Sequence, residues 1–308
     1  MSVYHRLSLV MAASMLAAGA QAAVTFDANL EADPTFKGST ATPKAKNDSY
    51  LGGRIEINAN AALVKQGDNF VNARASLIVP LGGSAVTFDD AWVQFGNSKA
   101  DFKLGRHEAA DLFPLGKDTV VERVGAAGGY WGNKLRGRVT DGRIHSVVGL
   151  NAAPGLRAEL GLVTQKSGSK SDYGVRPTVV YNAGALTLRA GYESFKTEGA
   201  ATNASKTGWG LSTGYAVNSD TNINLNYAKS SKLNATSFGA NAVFGPAGVG
   251  YIQDRDSVLK TQVNTVYVAY SIPLMGLPNA TITPALSHST GTKVSGLTAV
   301  RMRLNYAF

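Results

Sequence analysis

Two places in the chain bring a serine beside a histidine: His145 is followed by Ser146, and His288 lies between Ser287 and Ser289. An imidazole within hydrogen-bond reach of a hydroxyl is the minimum for nucleophilic catalysis. Both pairs sit in stretches of alternating polarity, where immediate neighbours point to opposite faces of a strand and cannot meet without distortion. No His/Asp/Glu spacing suits a metal, there is no cysteine, and the 34 glycines are scattered rather than gathered into a phosphate-cradling loop. The sequence therefore offers no catalytic, cofactor-binding or metal-binding residue. Its chemistry is electrostatic. Arg54 and Arg74, with Arg157, Arg176, Arg189, Arg301 and Arg303, occur at alternate positions between apolar or small residues, which sets them along one face of a sheet. An irregular stretch elsewhere carries Glu108, Asp111, Asp118 and Glu122. Facing sets of opposite charge make and break no bonds, but the field between them orients polar solutes and discriminates among ions.

Positions of this kind need strands to hold them, and strands are legible here as a period of two. At the end of the chain Val300, Met302, Leu304, Tyr306 and Phe308 alternate with Arg301, Arg303 and Asn305. Such a segment has one greasy and one wet face. An aromatic last residue with Tyr two places before it is the pattern of a closing strand in an outer-membrane barrel, which makes Tyr306 and Phe308 the expected assembly signal. The same alternation recurs in about 16 segments, and short turns such as Asn218-Ser219-Asp220 alternate with longer polar loops such as Pro34 to Ser49. Weak patterning near Val249 and Thr281 leaves a count of 14 open. A soluble sandwich would also alternate, but an even number of strands with this rhythm of connections predicts closure in lipid, which cannot satisfy an open sheet edge. The expected fold class is all-β, a transmembrane antiparallel β-barrel of about 16 strands. At that size the interior is too wide to fill with side chains and holds water.

The other end of the chain agrees. His5 and Arg6 precede a mostly apolar run, Leu7 to Ala18, followed by Gly19 and the small-x-small triplet Ala20-Gln21-Ala22. Residues 1–22 read as a cleaved signal peptide, leaving 23–308 as a single barrel domain. That run is too short to span a bilayer as a helix, and a mean hydropathy of −0.05 is ordinary for a barrel with a wet interior. Without the leader, 29 basic residues stand against 21 acidic ones, a net charge of +8. No lysine-rich run or basic helical face appears, so the charge does not point to nucleic acid. It points to a cation-lined lumen.

The alternation breaks once at length, from His107 to Gly142. Loops this long are usually functional or disordered. Leu112, Phe113, Leu115, Val120, Val121 and Val124 need burial, and in a wide barrel the place available is the inner wall. Folded there, Glu108, Asp111, Asp118 and Glu122 face Arg54, Arg74 and Arg106, as the acidic and basic sides of a constriction. Two points stay open. With Phe102 and Leu104 facing lipid, Arg106 should face lipid too, unless the strand ends near Gly105, where a missing side chain permits a bend. The basic stretch from Lys134 to Arg143 reads equally as a hairpin extending the loop and as part of a strand.

Three features together with the signal peptide resemble the trimeric general diffusion porins of the Gram-negative outer membrane. They are Phe102-Lys103-Leu104-Gly105-Arg106 leading into the long loop, the turn Phe113-Pro114-Leu115-Gly116-Lys117-Asp118 within it, and the closing Tyr306-Ala307-Phe308. The resemblance implies a homotrimer of 16-stranded barrels with the third extracellular loop folded into the lumen, Arg106 in the basic cluster and Asp118 on the acidic side. Lys117 stands where that pattern leads one to expect a neutral residue. Also implied are contacts with outer-membrane lipid and lipopolysaccharide, export with periplasmic chaperones and barrel-assembly machinery, and no cofactor or enzymatic activity. The expected function is passive diffusion of small hydrophilic solutes and ions, with a weak preference for anions. The alternatives are a sugar- or phosphate-selective channel and a monomeric 14-stranded pore.

Overall fold

Alternating side chains become the two faces of a cylinder in the computed structural model, which describes residues 23–39, 46–83, 85–117, 135–136, 144–167, 170–199, 204–230, 234–292 and 295–308. Five strands come before the long loop: β1 (Ala23–Ser39), β2 (Lys46–Gln66), β3 (Asn69–Pro80), β4 (Thr87–Gly96) and β5 (Ala100–Arg106). After it come β6 (Ile144–Ala153), β7 (Leu156–Ser167), β8 (Lys170–Ala183), β9 (Leu186–Glu198), β10 (Ala204–Asn218) and β11 (Thr221–Ser230). The last six are β12 (Ala235–Phe244), β13 (Ala247–Asp256), β14 (Thr261–Tyr270), β15 (Ile272–Pro273), β16 (Ala280–Thr292) and β17 (Leu297–Ala307). All pairings are antiparallel, and β1 closes the sheet on β17 from Asn29↔Ala307 to Ser39↔Leu297. β14 and β15 flank Ser271 and both pair with β16, so together they make one stave of a 16-stranded barrel. The count of 14 is thereby set aside. Closure leaves no unpaired edge, which is what lets a sheet cross lipid.

Side-chain parity follows the sequence pattern. Leu160, Leu162, Val175, Val179 and Leu211 are apolar yet exposed, and lie on the outer surface. Aromatic residues flank this band at both ends. Phe95 and Phe102 (ring centroids 5.4 Å), Tyr215, Phe244 and Tyr270 lie near the tight turns. Tyr192, Trp209, Tyr227 and Phe238 lie toward the longer loops, with Trp209 and Tyr227 rings 5.0 Å apart. Amphipathic rings favour the two membrane–water boundaries, so the belts mark the span. The tight turns share one end of the cylinder, where Gly67, Gly155, Gly184 and Gly245 adopt positive φ between 53° and 75°. The long loop emerges at the opposite end.

Pro34, expected in a loop, lies inside β1. Its strand continues to Ser39, because Pro34 pairs with Leu51 of β2 while the register with β17 skips from Ala32↔Leu304 to Thr35↔Arg301. A residue without an N–H fits a strand where the ladder is interrupted. Pro177 uses the same device, in the gap between Val175↔Ser194 and Thr178↔Gly191 of β8 and β9.

Candidate functional site

The described part of the long loop, His107 to Lys117 with Leu135 and Arg136, lies inside the barrel along its inner wall. From His107 to Lys117 it passes β6, β8, β9 and β11 to β14. Leu112 is completely buried, and Phe113 packs with Ala228, Ile252 and Tyr267, covered in turn by Leu115. Polar contacts then pin the backbone. Asn226 and Asn241 each donate a side-chain N–H to Pro114 O (2.7 and 2.8 Å), Tyr267 donates its hydroxyl to Leu115 O (2.6 Å), and Lys117 Nζ reaches Ser271 Oγ at 2.9 Å. Hydrogen bonds of this kind contribute about 1 kcal/mol each.

The wall beneath the loop is hollowed out for it. A Cβ at Gly191 would lie 2.5 Å from Leu112, one at Gly239 would lie 2.9 Å from Phe113, and one at Gly248 would lie 2.7 Å from Lys117. These three inward glycines trace the path of the loop. Read as scattered strand glycines, they went unassigned in the sequence. Their signal was present as bare positions in the inward rows of β9, β12 and β13.

At its root the loop is held by charge. Arg176, 1% exposed, donates Nε to Glu193 Oε1 (2.8 Å) and Nη2 to Ala110 O (2.7 Å). Glu193 also accepts the Leu135 N–H at 2.9 and 3.0 Å, which ties the returning arm of the loop to the same carboxylate. Arg136 on that arm bridges Glu108 (3.2 Å) and Asp111 (3.6 Å). Leu135 and Arg136 thus belong to the loop inside the barrel, which places these two residues of the basic Lys134–Arg143 stretch with the loop rather than in a strand. Asp111 also accepts the Phe113 N–H at 2.8 Å, closing a turn. Glu108 and Asp111 therefore answer an arginine of their own loop. Asp118 and Glu122 lie outside the described residues.

The wall away from the described loop residues carries Arg54 and Arg74, and it is not simply basic. A chain of ion pairs crosses five strands. It starts at Asp33 of β1, which binds Arg303 of β17 at 2.6 Å, and Arg303 also reaches Glu31 at 3.4 Å. Glu31 meets Arg54 of β2 at 3.5 Å, and Arg54 meets Glu56 at 3.0 Å. Glu56 meets Arg74 of β3 at 3.4 Å, and Arg74 meets Asp90 of β4 at 3.2 Å. Three guanidinium groups alternate with four carboxylates. Beside this ladder, Arg157 of β7 binds Asp101 (2.7 Å) and Glu159 (2.8 Å), and Lys103 lies 4.4 Å from the centre of the Trp92 ring. Sequence reading located the arginines but missed their carboxylate partners, which alternate just as regularly along β1, β2 and β4.

Arg106 takes a different place. Gly105 has φ +123°, and a Cβ there would lie 2.2 Å from Ala91 O, so only glycine fits this close approach. The irregularity does not change parity. Arg106 pairs with Ala91 in the outward row, beside Leu104↔Val93, and donates Nε to Asp89 O at 2.7 Å. His107, the next residue, turns inward instead. Among the described residues of this site no nucleophile is paired with a base, and no cluster of three metal-ligating side chains exists. What it can do is hold fixed, alternating charges against water.

A family model described as porin-like glycoporin RafY matches residues 19–152. No curated protein matches the sequence. Among solved structures, the anion-selective porin of Comamonas acidovorans superposes with a TM-score of 0.68 at 13% identity, over 94% of this chain and 100% of that one. A substituted variant of the Rh. blastica porin superposes with a TM-score of 0.64 at 13% identity, over 92% of this chain and all of its own. The chain therefore shares the closed, 16-stranded antiparallel barrel fold of these porins, and its residues 19–152 resemble the porin-like glycoporin family.

Proposed function

We propose that the chain forms a water-filled outer-membrane channel through which small hydrophilic solutes and ions diffuse passively. The observation that carries this reading is the division of the inner wall: one side is covered by a pinned loop, and the other bears the ion-pair ladder facing an interior too wide for side chains to fill. Ion selectivity is weak, because the ladder is nearly balanced in charge. A slight anion preference follows from the net +8 of residues 23–308, and the name of the Comamonas porin points the same way. Arg54 and Arg74 form one side of the constriction, and the loop acids Glu108 and Asp111 belong to the other. Residues 1–22 act as a cleaved signal peptide, and Tyr306 and Phe308 are read by barrel-assembly machinery.

Three copies pack through the outer face of β1 to β4. There Ala28, Ala59, Ala61, Ala73, Ala75 and Ala91 form a patch of small outward residues, bordered by larger ones such as Phe26, Ile57 and Leu77. The test of passive diffusion is swelling of liposomes that contain the purified barrel, in sugars of graded size. Rates should fall smoothly with solute size. A rate that depended on sugar identity at equal size would favour the selective channel suggested by the glycoporin description of the matching family.

A further inference from the structure

The inward loop leaves and rejoins the barrel at two histidines. His107 is the first residue beyond β5, and His145 is the second residue of β6. Their rings lie stacked at an interplanar angle of 11° with centroids 4.2 Å apart, and both side chains are sealed, at 2% and 0% exposure. Only His107 Nδ1 has a hydrogen-bonding neighbour, Gly105 O at 3.2 Å. His107 Nε2 and both nitrogens of His145 have none among the described residues. Stacked rings aim their nitrogens past each other, so they do not converge on one metal ion. A neutral imidazole tolerates such a setting, whereas an imidazolium brings a second N–H donor and a charge into a sealed site.

Charged neighbours surround the pair. Lys103 comes from β5 and Arg176 from β8, while Glu159 and Arg157 come from β7, with Asp101 and Glu108 close by. Glu159 is the carboxylate that faces His145, and its Oε1 is already held by Arg157 at 2.8 Å. Against it stand Arg176 and Lys103. Burial, and then the neighbouring His145 and Lys103, push the His107 imidazole from its ordinary 6.5 down to about 3.

We propose that the His107–His145 stack is an acid-sensitive latch at the root of the loop, and that protonation parts the rings, displaces residues 107–111 and changes the conductance of the channel. This rests on the channel reading above. The latched form holds His107 neutral, whereas a released, solvated histidine titrates near 6.5. The latch is therefore fully stable above pH 6.5 and weakens as pH falls from there toward 3. Its opening equilibrium gains about tenfold per pH unit for each histidine that protonates. The segment at Pro114 and Leu115 stays in place, because it is tied to β11, β12 and β14 by neutral groups.

The experiment is single-channel conductance of the full barrel in planar bilayers at constant KCl, recorded from pH 7.5 to 3.5. The unsubstituted protein should show a step below pH 6.5. His107→Phe with His145→Phe keeps two stacked rings without titratable nitrogens, and should retain the neutral-pH conductance and lose the step. His107→Phe alone should show a shallower step, and serves if the double variant fails to insert. Asp101, Glu108 and Glu159 are present in every variant, so the difference isolates the histidines. A flat profile in the unsubstituted protein, or an unchanged step in the variants, overturns the latch. No conductance at pH 7.5 overturns the channel reading itself, and the latch with it.

Discussion

Arg74 touches Glu56, Asp90, Asn58 and Ser76, and no part of its function can be read from its charge alone. Each arginine of the ladder is held between carboxylates, so its removal unmasks acids rather than merely subtracting a cation. Arg74→Ala should therefore shift the reversal potential in a KCl gradient toward cation preference, while Glu31→Gln should shift it toward anions. A unit charge about 10 Å from a permeating ion in water alters each permeability by about twofold. Shifts of the same sign in both variants would show that the ladder does not face the permeating ions. Arg176 marks the opposite extreme. Buried with Glu193, it is a pair whose breaking costs about 3–5 kcal/mol, and its work is to hold the loop root rather than to meet solutes. At this scale the sequence displayed the arginines but not their partners. Pairing depends on which strand lies beside which and in what register, and β1 meets β17 across nearly the whole length of the chain.

The strands were legible because a period of two is written locally, ten or so residues at a time, and any error shifts only an end. Pro34 and β15 show the kind of detail that escaped: each depends on where a neighbouring ladder is interrupted. The loop was legible as a break in rhythm, and its apolar residues announced burial. Its path was not, since it follows from hollows at Gly191, Gly239 and Gly248 contributed by three separate strands. Arg106 failed to turn inward for an elementary reason: a positive φ at Gly105 bends the strand without inserting a residue, so alternation carries on to His107. The alanine patch on the outer face of β1 to β4 is an element-scale feature with its own test. Ala59 and Ala75 are directly paired on that face. Ala75→Trp should turn a detergent-stable trimer into monomers on native electrophoresis, while the same substitution at Ala240, on the outer face of β12, should leave it intact. If both variants migrate alike, the subunits meet elsewhere.

For the whole molecule, strand number and loop position act together. Sixteen staves create more interior than side chains can fill, and the loop takes back part of that space along one side. Net charge says less than the sequence suggested, because the inward arginines are largely neutralised where they stand. A hollow barrel narrowed by its own loop should conduct in discrete, ohmic steps, and it should conduct more when the loop is shortened. The direct measurement is single-channel conductance in planar bilayers at pH 7.5, comparing the intact barrel with a variant lacking Asp111 to Glu122. The expected result is a stable unitary conductance that rises on deletion. An intact barrel that inserts but passes no current would contradict the account, as would a deletion that leaves the conductance unchanged.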